Sequence, residues 1–338
     1  MLAIALLRIC GVVLFILALA LVGVGWVARG PLVLRASSST STGRPSSSTW
    51  PSISVQNLRA TVKTLCVDLA PRSYHPPSNL ARVADWIAGR LRETGLVVME
   101  QDYRTSEGTY RNVIALRQGT DRQRGVTVIG AHYDTCGPFP GADDNASGVA
   151  VLLELVRTLP KPPPRSSQFF VAFGTEEDPF FGSQDMGSAH FARKLSDDGT
   201  RVELMIALDL VGFFSDEPGS QSFPYGFLQL YYPGRGDFIA VVGDLGAGRW
   251  IRRVKRGMLA AKALPVYSFR GPSLIPGIDW SDHFSFRQLG LPGVLVTDTA
   301  FLRNAHYHQP TDTPGTLDYS RMAAVVQALH GVLAEEGT

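Results

Sequence analysis

The run GVTVIGAHYDTCGPFPGADDNASGVAVLLELV, residues 125–156, carries the pattern that decides the fold. An apolar segment rich in β-branched residues predicts a strand over residues 126–130 that leads to His132. A Gly/Pro loop follows, then GADDNASG, then an apolar stretch with helical spacing over residues 147–159. Strand, loop and helix in this order, with polar residues at the strand's carboxyl end, is how open α/β sheets present ligand sites.

The same grammar extends outward. Strands are predicted over residues 97–103, 112–117, 169–173, 205–210 and 293–296, several of them apolar without alternation, as in sheets buried on both faces. Ser78 reads as the N-cap of a helix with Leu80, Val83, Ala84, Ile87 and Leu91 at helical spacing and Gly95 as its stop. Further helices are predicted near residues 237–245, 251–261 and 317–334. The expected architecture is one α/β domain with a mostly parallel central sheet sandwiched by helices.

The front of the chain is different. Ile9 to Ala28 form an uncharged apolar run between Arg8 and Arg29, about 30 Å long as a helix and enough to span a bilayer core. Residues 1–30 are therefore expected to be a transmembrane signal-anchor, with a cleaved signal peptide as the alternative; flanking charges do not settle the orientation. Residues 31–52, dominated by Ser and Thr, are expected to be a disordered tether, and residues 53–338 a catalytic domain held outside the cytoplasm. Lys+Arg 32 against Asp+Glu 30 lacks the basic excess of a nucleic-acid binder. Oligomeric state is not legible.

Metal-type and acid-base residues gather at strand ends and adjoining loops: His132 and Asp134, Asp143 and Asp144, Glu176 and Glu177, Asp209, and His306 and His308. A lone strand-end histidine or capping aspartate is ordinarily structural, but five such groups together point to a site. Imidazoles and carboxylates without a thiolate suit a catalytic divalent ion such as zinc. The donors exceed what one ion needs, so two Zn²⁺ ions sharing a carboxylate and a bridging hydroxide are expected, with a further carboxylate as general base.

GAHYD at residues 130–134, ADDNASG at 142–148, EE at 176–177, LDLVG at 208–212, SDH at 281–283 and the HxxxDT spacing from His308 to Thr313 together resemble the di-zinc aminopeptidases of metallopeptidase family 28. The resemblance runs from about residue 57 to the C-terminus. It implies a mixed sheet between helices, the zinc-peptidase fold, and removal of the N-terminal residue from a peptide with a free amine. It also implies Asp144 as bridging ligand, His132 and Asp209 on one ion, Glu177 and His308 on the other, Glu176 as base, and a cis bond between Asp144 and Asn145. Asp134 is expected to orient His132 from behind, as such a ligand requires. Two other readings stand beside this one: a glutaminyl-peptide cyclotransferase of the same fold, and a non-catalytic binding ectodomain.

Asp143 points to the opposite side of an extended backbone from Asp144, and His306 lacks the HxxxDT spacing. Asp282 and His283 read as capping or bracing residues, and Thr175 and Ser147 as structural. Residues 216–232 and 267–279 are expected rims of a substrate pocket. Met205 and Phe213 are alternatives for core positions, and Arg287 and Arg303 for capture of a substrate carboxylate. A Cys66–Cys136 disulfide is expected from the extracytoplasmic reading.

Overall fold

Side chains of the central strands alternate between two dry faces. Ile129 and Ala131 point to one core with Leu204, Ile206 and Leu208, whereas Val128 points to the other with Met205 and Ala207. Burial on both faces explains the uninterrupted apolar runs in the sequence. The computed structural model describes residues 51–335.

The elements follow in the order α1 (Val55–Lys63), α2 (Ser78–Arg92), β1 (Val97–Arg104), β2 (Thr109–Arg117), β3 (Val126–His132) and α3 (Gly148–Arg157). Then come β4 (Gln168–Phe173), α4 (Gly187–Asp197), β5 (Val202–Leu208), β6 (Ile239–Asp244), α5 (Gly248–Ala260), β7 (Val266–Gly271), α6 (His283–Gln288), β8 (Gly293–Thr297) and α7 (Tyr319–Glu335). The sheet order is β1-β2-β4-β3-β5-β8-β6-β7. Its centre, β4-β3-β5-β8, is parallel; β1, β2 and β6 join by antiparallel pairings, and β7 runs parallel to β6. One core is covered by α1, α2, α3, α5 and α7, the other by α4 and α6. The sheet is thus mixed and sandwiched, as the family resemblance implied.

Several local expectations change. Residues 237–245, predicted helical, contain β6 instead. Ile239 and Val241 face one core and Ala240 and Val242 the other, so apolar positions lack a period that separates strand from helix. β7 and α4 were not predicted: β7 lies in the expected pocket rim, and α4 follows the Glu176–Glu177 loop. Ser78 is the first helical residue rather than the cap, which is Pro77. Met205 is core, while Phe213 is half-buried with its ring against His306.

The expected membrane helix and nearly all of the tether fall on residues 1–50, outside the described residues. Among the described residues no helix is long and apolar enough to cross a membrane.

Candidate metal centre

The parallel centre of the sheet brings the carboxyl ends of β3, β4 and β5 side by side, and the sequence delivers His132, Glu176–Glu177 and Asp209 there. Asp144 arrives on the loop after β3. A left-handed Gly141 (φ +59°) opens this turn, in a backbone conformation that favours glycine. The Asp144–Asn145 bond is cis, as the resemblance implied. Gly148 is also required: a Cβ there would lie 2.3 Å from Asn145 Oδ1 and 2.6 Å from the Leu208 carbonyl oxygen, so only glycine lets α3 start this close to β5.

Asp144 stands between the two histidines. Its Oδ1 lies 3.3 Å from His132 Nε2 and its Oδ2 3.0 Å from His308 Nε2. On the inner side, Asp209 Oδ1 is 3.3 Å and Glu176 Oε2 3.9 Å from His132 Nε2. On the outer side, Glu177 Oε2 is 3.3 Å from His308 Nε2. His308 is one of few non-glycine residues here with positive φ (+55°), an uncommon conformation that aims its ring inward.

Asp134 works behind His132. One carboxylate oxygen is 3.2 Å from His132 Nδ1, and the other accepts the backbone N–H groups of Glu176 and Glu177 at 2.9 and 3.1 Å. A single buried side chain therefore fixes both a ring orientation and the glutamate pair. Asp312, the aspartate of HxxxDT, plays the matching part under Asp144, accepting backbone N–H groups from Asp143 and Asp144. That role was not read from the sequence, although the motif contained the residue.

The electrostatics suit cations. Burial pushes the Glu176 carboxyl well above its usual range, with Glu177 and Asp209 adding to the rise. Burial and then Asp144 push Glu177 up to about 7, and its Oε1 has no hydrogen-bond partner. Burial opposes ionisation of Asp144 as well, but its hydrogen bonds to His132 and His308 hold it below the usual carboxylate range. Four crowded carboxylates, one with an orphaned oxygen, fit divalent ions, which would neutralise charges that water no longer screens. Three donor groups satisfy metal-like proximity, His132–Asp144–Asp209, His132–Glu176–Glu177 and Cys136–Glu177–His308, each within 4.8 Å.

The competing residues are spoken for elsewhere. Asp143 turns away, accepting from Gly212 N–H and Asn304 Nδ2 at 2.9 and 2.7 Å, and its carboxyl is held far above the usual range by burial and then by Asp298. His306 Nδ1 is 2.9 Å from Thr311 Oγ1. Ser147 and Thr175 are structural, tying Asp143 to Val211 and Tyr103 to Asp185 respectively. His283 braces its loop through the Ile278 carbonyl oxygen, but Asp282 makes no side-chain cap. Both oxygens of Asp282 are buried without hydrogen bonds, and burial pushes its carboxyl up to about 7, with Asp209 adding to the rise and His132 opposing it.

Two expectations fail. Cys66 and Cys136 are both free. Arg72, fully buried, occupies the joint that the disulfide was to make, donating to the carbonyl oxygens of Leu65, Tyr133, Pro140 and Gly141, with Cys66 Sγ 3.8 Å from its Nη1. Arg287 and Arg303 do not reach substrate space: Arg287 pairs with Asp244, and Arg303 donates to Gln221 and to the carbonyl oxygens of Phe213 and Phe238.

A cavity of about 400 Å³ opens beside the cluster, with Asp144, Glu176, Glu177, Asp209 and His308 at one end and Leu228, Tyr232, Phe238, Val242 and Phe269 in its walls. Both expected rims contribute, residues 216–232 through Phe223 and Leu228 and residues 267–279 through Tyr267 and Ile275.

Comparison with known proteins agrees with this fold. The uncharacterized protein YfbL of Escherichia coli is 43% identical over 284 residues, covering 82% of this chain and 86% of YfbL. The zinc aminopeptidase BSAP from Bacillus subtilis superposes with a TM-score of 0.67 at 16% identity, over 84% of this chain and 95% of that one. Glutaminyl cyclase from Porphyromonas gingivalis superposes at 0.61 with 24% identity, over 84% and 98%. The sequence profile of peptidase family M28 matches residues 112–333, the span that carries every residue of the cluster, and the chain belongs to that family.

Proposed function

We propose that this protein is a zinc-dependent aminopeptidase that holds two ions and removes the N-terminal residue of peptides. The observation that carries the reading is the position of Asp144, one oxygen toward His132 and the other toward His308. In this reading His132, Asp144 and Asp209 hold an inner ion, and Asp144, Glu177 and His308 an outer one. Bound zinc supplies Lewis acidity toward a carbonyl and acidifies coordinated water.

The chain's own residues then divide the work. Glu176 reaches the inner donors but is not needed as a ligand, and a buried carboxylate at that position can take a proton from water and return it to the departing amine. Asp134 keeps His132 in one orientation and positions Glu176 through the backbone. The free amine of the peptide meets a carboxylate-rich end, and the apolar cavity receives the first side chain while keeping water out.

Ahead of the domain, which we take to begin at residue 53, the run from Ile9 to Ala28 and the Ser/Thr-rich segment after it support a membrane anchor and tether. In this reading catalysis occurs outside the cytoplasm.

The purified full chain should carry two zinc ions and release amine from aminoacyl anilides in a chelator-sensitive manner. One ion with cyclisation of an N-terminal glutamine peptide would establish the cyclotransferase instead; neither metal nor activity would establish a binding domain. Glu176→Gln should lower turnover by about 10²–10⁴ while both ions remain. Unchanged turnover would remove Glu176 as base.

A further inference from the structure

We propose that Cys136 is a protein ligand of the outer subsite, so that an ion there is held by sulfur together with His308, Glu177 and Asp144. The inference rests on the two-ion reading above. Three observations carry it. Cys136 Sγ, a Glu177 carboxylate oxygen and a His308 ring nitrogen all lie within 4.8 Å of one another. Glu177 keeps one oxygen without a hydrogen-bond partner, on a side chain only 7% exposed. The sulfur also rides on a pinned loop: the Thr135 N–H donates to the Arg72 carbonyl oxygen at 3.1 Å, and its hydroxyl to the Gly137 carbonyl oxygen at 3.0 Å.

The sulfur makes the two subsites chemically unequal. The inner one offers nitrogen and oxygen donors from His132, Asp144 and Asp209, leaving room for water or substrate. The outer one adds the Cys136 sulfur to the His308 nitrogen and a Glu177 oxygen, a softer donor set than the inner one. Thiolate also favours softer ions such as cadmium over manganese. On binding, the S–H bond breaks, a sulfur–metal bond forms, and the proton leaves to bulk water. The inner ion is then the one that exchanges first under chelation.

The test uses the full chain, stripped with chelator and reloaded with cobalt(II). Visible ligand-field bands report that the ion is bound; a near-ultraviolet sulfur-to-cobalt charge-transfer band reports the thiolate. The wild type should show both, and Cys136→Ser only the first. Cys136→Ser should also weaken cadmium binding about 10-fold or more relative to manganese, the scale of losing a supporting group at a metal site. Iodoacetamide should alkylate Cys136 in the stripped chain but not in the loaded one, with buried Cys66 as internal reference. Visible bands without a charge-transfer band, with equal alkylation in both states, would overturn the role of Cys136 and leave the two-ion reading standing. Absence of visible bands would overturn both.

Discussion

The Asp312 carboxylate reaches the backbone of Asp144: its Oδ2 accepts the Asp144 N–H at 3.1 Å, and the same group takes the N–H of Asp143 at 2.9 Å to Oδ1. The side chain that spans both subsites is thus positioned from beneath by a residue only four positions beyond His308. Replacing Asp312 by Ala leaves two buried N–H groups without acceptors, at about 1–3 kcal/mol each, and frees the Asp144 loop. Asp312→Ala should bind metal about 10–100-fold more weakly, measured by competition with a chelator. Native affinity in a merely less stable protein would reduce Asp312 to a structural residue.

Asp143 and Asp144 are neighbours with opposite fates. Asp143 shares a buried network with Asp298, Asn304 and the Gly212 N–H, whereas Asp144 faces both histidines. Asp143→Asn preserves a neutral hydrogen-bonding group and should keep two ions per chain. Asp144→Asn should lose at least one. Metal analysis of the two variants that gave equal contents would contradict the bridging role.

The chemistry of the site was legible because strand ends concentrate it. His132, Glu176, Glu177 and Asp209 each terminate or follow an apolar run, and a parallel centre must bring those ends together. Tertiary partners were less visible. Asp312 acts through backbone N–H groups of residues about 170 positions away in sequence, and no local pattern announces such a bond. The disulfide expectation rested on compartment alone and could not see Arg72 filling the gap. β6 was misread because burial on both faces erases the alternation that marks a strand. The carboxyl pair of Asp143 and Asp298 likewise joins two distant loops.

The cavity predicts a preference for large apolar first residues. Ala240 lies in its wall with its side chain buried beside Phe238 and Val242. Ala240→Leu inserts methylene-sized groups that each discriminate by about 1–3 kcal/mol in such pockets. The kcat/KM for an N-terminal Phe or Trp should fall about 10-fold or more, and that for N-terminal Ala by far less. An equal fall for every substrate would assign the cavity another use.

Stability carries a pH dependence of its own. His330 on α7 is buried, and its Nε2 lies 2.8 Å from Thr158 Oγ1. Burial, and then Arg117, push its pKa down to about 4. In the unfolded chain an imidazole titrates at about 6.5, so between these values the unfolded state holds a proton that the native state refuses. Stability is therefore complete above the unfolded value and is lost as pH falls toward 4. At pH 5 the loss amounts to about 2 kcal/mol, from 1.36 kcal/mol per pKa unit. His330→Gln keeps a partner for Thr158 and cannot titrate, so its drop in unfolding free energy from pH 7 to pH 5 should be smaller by about that amount. Denaturant titrations of chelator-treated wild type and variant compare the two without interference from bound ions. Equal drops in both would show that His330 is already solvated in the native protein.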